Sequence, residues 1–400
     1  MKIEFPTGRF IRPALHRATT IGGSLPPLRS ALLVLLACGM LAGTLHAQTT
    51  YTYSTTGGDE WTIPGNWTGG VFGHFPGDGN GAVANAGTAT DIAAFGAIGN
   101  AAASLGIDFN SLNGSLTLGA IQLLSSANQL VHSIGNSSSA AGQTSATLAL
   151  TGQTINGIAN TILSNESSRR LTLQPRQNGN AAASFNMSIA LASGTDNVIQ
   201  INGSGDIFVV TSISGTGSNL IIDGSGAGVV RLATAASNTY SGITTIRHGT
   251  LDLGSTAIAI AGDIVIGDGS GPALLRLLNG TNGNQIADTS FLTFNGTGAN
   301  AGTFQVHPSR TDTVGGLVST GGAGVVESYA AGTAFLSVNV DNTPRDFSGI
   351  LQNGSAGALA FTKSGNAAQT LSGTVANTYT GKTLVNSGTL ILNKTDGVTA

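Results

Sequence analysis

Carboxylates, histidines and one Gly-Lys-Thr cluster are the residues of this chain with the means to do chemistry. Glycoside cleavage needs two placed carboxylates. Beyond residue 47 the glutamates are Glu60, Glu166 and Glu327, and Asp78, Asp223, Asp263 and Asp268 each adjoin a glycine, where aspartate serves turns. Asp206, Asp223 and Arg231 lie near one another in sequence and mark the one groove in which such a pair would be sought. Gly267–Gly271 (GDGSG) and Pro76–Gly81 (PGDGNG) are similar to Gly/Asp calcium turns, but the regular tandem copies of such repeats are missing. His74, His132, His248 and His307 are too scattered to share a metal, and His248 reads as a solvated turn residue. Thr380–Thr383 (TGKT) invites a phosphate-loop reading, yet Ala376 stands where that motif needs glycine. The expectation is a chain with no catalytic residue, no cofactor and no metal.

Composition narrows the class. Of 400 residues 9% are charged, against about a quarter in an average globular protein. Glycine contributes 59 residues and aromatics 5%. Beyond the first thirty residues no basic cluster exists, which argues against a nucleic-acid partner. Charge this sparse cannot build heptads, and a 40% hydrophobic content is wrong for disorder.

The N-terminus reads as an export signal. Lys2, Arg9, Arg12, Arg17 and Arg29 precede the apolar run Ala31–Leu45, which ends in small residues at Thr44 and Ala47. A basic region, an apolar core and a small residue at the cut describe a secretory signal peptide over 1–47, cleaved between Ala47 and Gln48. The run is short of the roughly 20 residues a membrane span needs. A second reading takes Leu35–Cys38 (LLAC) as a lipoprotein cleavage box with Cys38 lipidated; the apolar run continuing through Met40 and Leu41 favours ordinary cleavage. Cleavage leaves 11 basic and 18 acidic residues, and removes the single cysteine. Thiol catalysis and cysteine-ligated metal then drop out.

Residues 48–103 hold Trp61 and Trp67 among dense turn signals and read as an N-terminal cap, aromatics covering the open end of a stack. From 104 to 400 short apolar–polar alternations are bounded by Gly, Asn, Asp or Ser, the punctuation of strands and turns. Gly119–Gly135 is the best helix candidate and is still read as two strands broken at Ser125–Asn128. Arg169 and Arg170 read as a charged strand edge.

Two segments align with each other. Asn238–Gly254 (NTYSGITTIRHGTLDLG) and Asn377–Asn393 (NTYTGKTLVNSGTLILN) share nine of seventeen positions. These include Asn238, Tyr240, Gly242, Gly249, Thr250 and Leu251, matched by Asn377, Tyr379, Gly381, Gly388, Thr389 and Leu390. Self-similarity in a Gly-rich β sequence points to stacking units. The pattern resembles the autotransporter-associated β-strand repeat of secreted bacterial passenger proteins. The resemblance extends upstream of the second copy over Asp346–Gly373, whereas Gly226–Ser237 lacks the Thr-Lys-x-Gly piece.

The resemblance implies an all-β, right-handed parallel β-solenoid (β-helix) with repeats near 238–254 and 346–393. Coils of about 20–25 residues, stacked at about 4.8 Å, give about a dozen levels and a rod of about 60 Å. Turn asparagines would form amide ladders between coils. It further implies an exported, non-catalytic surface or secreted stalk of structural or adhesive role. The alternative is an extracellular carbohydrate-active β-helix enzyme, a lyase or hydrolase. Expected partners are a surface or extracellular-matrix ligand of unknown identity, no nucleic acid, and no stable membrane span in the mature chain. An outer-membrane anchor or barrel would lie outside this chain, and the stop directly after a repeat reads as part of a longer protein.

Overall fold

The computed structural model describes residues 48–54, 61–70, 74–77, 90–98, 105–108, 115–129, 131–135, 145–175, 186–278, 284–308, 311–320 and 324–400. The signal segment 1–47, with Ala47 and Cys38, lies outside them, while Gln48 begins them. Short alternating runs bounded by turn residues make strands of two to eight residues, and these coil as a parallel β-solenoid. One side is a twelve-stranded sheet running from Trp67–Thr68 to Gly316–Ser319. A three-stranded sheet continues it: Arg345–Phe347 packs on Gly316–Ser319 and leads to Ala368–Gly373 and Thr389–Lys394. A second side is a ten-stranded sheet from Leu105–Asp108 to Ile350–Gln352. The third side carries two four-stranded sheets, one from Ser115–Leu118 to Ser212–Ser214, the other from Thr311–Val314 to Thr383–Val385.

Period-2 alternation decides what each strand buries. On the second side Val230, Leu251, Leu275, Phe304, Val326 and Leu351 pair level upon level, and each is fully buried. Such burial stabilises by about 1.5–3 kcal/mol per large side chain. Those six are 21 to 29 residues apart, so the strands keep register while corner lengths vary. Gly119–Gly135 does form two strands, Ala120–Leu123 and Val131–Gly135. Arg170 departs from expectation. Its strand, Arg170–Leu173, is internal to the ten-stranded sheet, and its guanidinium lies 4.8 Å from the Phe208 ring centre.

The aromatic cluster sits at the first strands. Trp67–Thr68 pairs antiparallel with Thr50–Tyr53, which pairs parallel with Ile92–Phe95. Trp61, Trp67, Tyr53 and Phe95 are buried, with Trp61 and Trp67 ring centres 4.8 Å apart. Each indole N–H has an acceptor: Trp61 Nε1 donates to the Pro76 carbonyl at 2.9 Å and Trp67 Nε1 to the Trp61 carbonyl at 2.8 Å. The rings thereby bury their apolar faces without stranding a donor.

Among the described residues strand pairing lapses at places that include the following two, and side chains replace it there. On the third side no regular strand lies between Ser212–Ser214 and Thr311–Val314 among the described residues. Asn238 accepts the Ile213 N–H at one end of that gap (2.8 Å), and Asp312 accepts the Gln285 N–H at the other (3.0 Å). On the first side, Gly316–Ser319 and Arg345–Phe347 share no ladder. There the buried Gln369 accepts from the Leu317 N–H and donates to the Leu317 carbonyl, each at 3.0 Å, reaching past one coil.

Asp312 is a fully buried carboxyl with one oxygen, Oδ1, lacking a partner among the described residues. Burial pushes its pKa up to about 7, against the pull of the Gln285, Ile286 and Thr313 N–H groups, and Asp288 adds to the rise. The unfolded carboxyl titrates near 3.8, so between about pH 4 and about pH 7 the folded chain holds a proton the unfolded chain does not. This contribution to stability is largest in acid and is lost as pH rises through that window. His132 acts oppositely: burial, helped by Arg169, lowers it to about 4, so its contribution is lost as pH falls from 6.5 to about 4. Asp312→Asn keeps the acceptor for Gln285 and cannot ionise. We expect it to be neutral at pH 4 and to stabilise the chain at pH 8 by about 1–3 kcal/mol, measured by urea unfolding. Equal stability of the two proteins at pH 8 would show that Asp312 is not strained by its charge.

Candidate functional site

The repeat motif builds a corner. In the first copy Asn238 spans three coils: Oδ1 accepts the Ile213 N–H, and Nδ2 donates to the Ala259 carbonyl at 2.7 Å. The amide ladder is therefore asparagine to backbone, rather than asparagine to asparagine. Tyr240 is fully buried and its hydroxyl meets Thr244 Oγ1 at 2.8 Å. Burial drives the phenol well above its ordinary pKa, so it stays neutral. Gly242 is required by close approach, because a Cβ there would overlap the Ser218 carbonyl of the preceding coil. Gly249 is required by its φ of +83°. Thr250 and Leu251 then enter a strand, with Leu251 facing the core.

The second copy repeats this geometry. Asn377 accepts the Leu351 N–H at 2.9 Å, Tyr379 meets Thr383 at 2.6 Å, a Cβ at Gly381 would overlap the Leu359 carbonyl, and Gly388 has φ +68°. Thr389 and Leu390 again enter a strand, Leu390 packing on the core. The sides, however, differ. Thr244–Ile246 lies in the twelve-stranded sheet and Gly249–Leu253 in the ten-stranded one. Their counterparts, Thr383–Val385 and Thr389–Lys394, lie on the third side and on the continuation of the first. The motif encodes a corner with two flanking strands, and that unit fits any side of the coil.

A polar column runs along the outside of the ten-stranded sheet. Phe208, Arg231, Asp252, Arg276, Gln305, Glu327 and Gln352 pair in turn on successive levels. Asp252 is fully buried and is clasped by Arg231 at 3.2 Å and by Arg276 at 2.8 and 3.0 Å. Glu327 accepts from Gln305 at 2.8 Å and Gln352 at 2.7 Å. Arg231 also stacks 4.5 Å above Phe208.

At the corner between the first and second sides, three coils contribute to a hydrogen-bonded series. Asp223 Oδ1 lies 3.0 Å from His248 Nδ1, and His248 Nε2 lies 3.0 Å from Ser270 Oγ. Asp223 Oδ1 also accepts the Gly224 N–H at 2.8 Å, and Arg247 approaches Oδ2 at 3.7 Å. Ser270 donates from both its amide and its hydroxyl to Asp268. Burial alone would raise Asp268, but the Ser270 hydrogen bonds, with His248 and Arg247 nearby, outweigh it and hold the carboxyl below its ordinary value. A depression of about 320 Å³ opens over His248 and Ser270. A second, of about 350 Å³, adjoins it through Gly249 and Pro272 and reaches Gln305 and Glu327.

The structure does not bring Asp206, Asp223 and Arg231 into one groove. Asp206 caps the Val229 N–H, Asp223 faces His248, and Arg231 faces Asp252. His248 is no idle turn residue, and its partners were invisible because they lie 25 and 22 residues away on neighbouring coils. In GDGSG the Asp268 carboxylate is engaged by Ser270, and Asp78 of the other Gly/Asp turn lies outside the described residues. Among the described residues no group of three metal-ligating side chains converges.

Two substitutions test this site. Asn238→Ala removes hydrogen bonds on both sides, whereas Asn377 bonds on one side only, its Nδ2 having no partner among the described residues. We expect Asn238→Ala to cost about 2–4 kcal/mol and Asn377→Ala about half that, read from urea midpoints; equal losses would contradict the bridging role. Asp252→Asn leaves two guanidinium groups facing each other. Since both are about a third exposed, its cost falls at about 2–3 kcal/mol, and an unchanged melting curve would remove the column from the account of stability.

No curated protein and no solved structure matches the chain. Residues 225–253 and 361–392, the two corner units of this parallel β-solenoid, match the family model described as the passenger-associated-transport-repeat.

Proposed function

We propose that this chain is an exported passenger-type stalk, a rod that presents its sides at the bacterial surface or in the medium. The observation that carries this reading is the pair of segments matching the passenger-associated-transport-repeat, built into one continuous stack. Coil-to-coil pairing lets such a chain fold level by level without disulfides. Among the described residues no helix is long and apolar enough to cross a membrane. The stalk role is structural or adhesive and needs no catalysis, cofactor or nucleic acid; its surface ligand is unknown. A two-carboxylate glycoside hydrolase is disfavoured because Asp252 and Glu327, the acids of the outer column, are already held by Arg231, Arg276, Gln305 and Gln352. We further propose residues 48–103 as the cap and 104–400 as the rod.

The test is the mass and N-terminal sequence of the chain recovered from fractionated producing cells. The proposal expects a start at Gln48, outside the cytoplasm. A start at lipidated Cys38 would replace ordinary cleavage with a lipid tether. A full-length, unprocessed chain in the cytoplasm would overturn the proposal.

A further inference from the structure

The Asp223–His248–Ser270 series sits at one corner of three successive coils. Asp223 ends the strand Asn219–Asp223, His248 follows Thr244–Ile246, and Ser270 follows Ile264–Ile266. An aspartate, an imidazole and a hydroxyl in hydrogen-bonded order are the parts of an activated nucleophile. We propose that Ser270 is a nucleophile for small acyl esters, with His248 as its general base and Asp223 as the group that orients the base.

The orientation follows from the acceptor. Asp223, its side chain 12% exposed, takes its hydrogen bond from Nδ1, so the neutral imidazole carries its proton there and turns the Nε2 lone pair towards Ser270. Gly224 and Arg247 hold the aspartate in place. The single Ser270 hydroxyl proton has two acceptors within reach: it lies on Asp268 in the resting site, and turning it to His248 Nε2, 3.0 Å away, engages the base. Gly271 matters sterically, because a Cβ there would overlap the His248 ring. Gly224, Ser225, Gly226 and Gly271 line the depression, so backbone and small side chains meet the substrate.

The chemistry balances with an ester and water alone. Ser270 Oγ forms a bond to the acyl carbon as its proton passes to His248 Nε2. The C–O bond to the alcohol then breaks, and that proton moves to the leaving oxygen. Water attacks the acyl-serine by the same route in reverse and releases the carboxylic acid. The site stands apart from the stalk reading, and neither depends on the other.

The experiment treats the purified chain with a fluorophosphonate probe and with p-nitrophenyl acetate. Adducts are located by intact mass and peptide mapping, and each variant's fold is checked by circular dichroism. The proposal expects one adduct, on Ser270. It also expects hydrolysis of the ester by the same serine. Ser270→Ala abolishes both, and His248→Gln and Gly271→Ala reduce them by about 100-fold while the circular dichroism spectrum stays that of the parent. The absence of an adduct on the folded parent chain, at a probe level that labels a known serine esterase, overturns the proposal. Labelling that survives His248→Gln unchanged overturns it as well.

Discussion

Every backbone N–H and C=O inside a coil must find its partner on the coil below or above. An unpaired buried group costs about 1–3 kcal/mol, and a stack of many levels presents such groups on every side. Parallel, in-register pairing meets this demand along most of the chain. It also dictates where glycine must stand, since Gly242 and Gly381 run against a carbonyl of the preceding coil with no room for a side chain.

Where strands lapse, planar side chains take over the same bonds. Asn238, Asp312 and Gln369 are all buried, and each bonds to main-chain groups of neighbouring coils. Lys363 does the same at another corner, its ammonium donating to the carbonyls of Ser364, Gly365 and Ser387. That is the lysine of the Thr-Lys-x-Gly piece present in the second copy alone. The outer column applies the rule to charges: Asp252 and Glu327 are tolerable because arginine and glutamine stand on the adjacent levels.

Much of this was legible in the sequence because it is local. Alternation within four to six residues marks strands such as Ala273–Leu277, and Asn-Ser-Gly marks the turn before Thr389–Lys394. The repeat was legible because its corner is made of contiguous residues. What links coils was not legible. Arg231, Asp252 and Arg276 are separated by 21 and 24 residues, and corners of varying length erase any fixed spacing. For the same reason Asp223, His248 and Ser270 looked unrelated, Arg170 looked like an edge, and the change of side between the two repeat copies left no mark.

The stalk reading and the corner nucleophile both rest on this stack, the one on its continuity and the other on its register. The most direct test of the stack uses paired cysteines, since the sole native cysteine is Cys38. Thr362 and Leu384 pair across adjacent levels of the third side, whereas Thr370 on the first side pairs with Ile391. A chain carrying Thr362→Cys and Leu384→Cys should oxidise readily to a disulfide, their Cα atoms lying at the roughly 5 Å spacing of paired strands. A chain carrying Thr370→Cys and Leu384→Cys should not. Bridging of the second pair in place of the first would mean that the repeat keeps to one side of the coil, and would contradict the account.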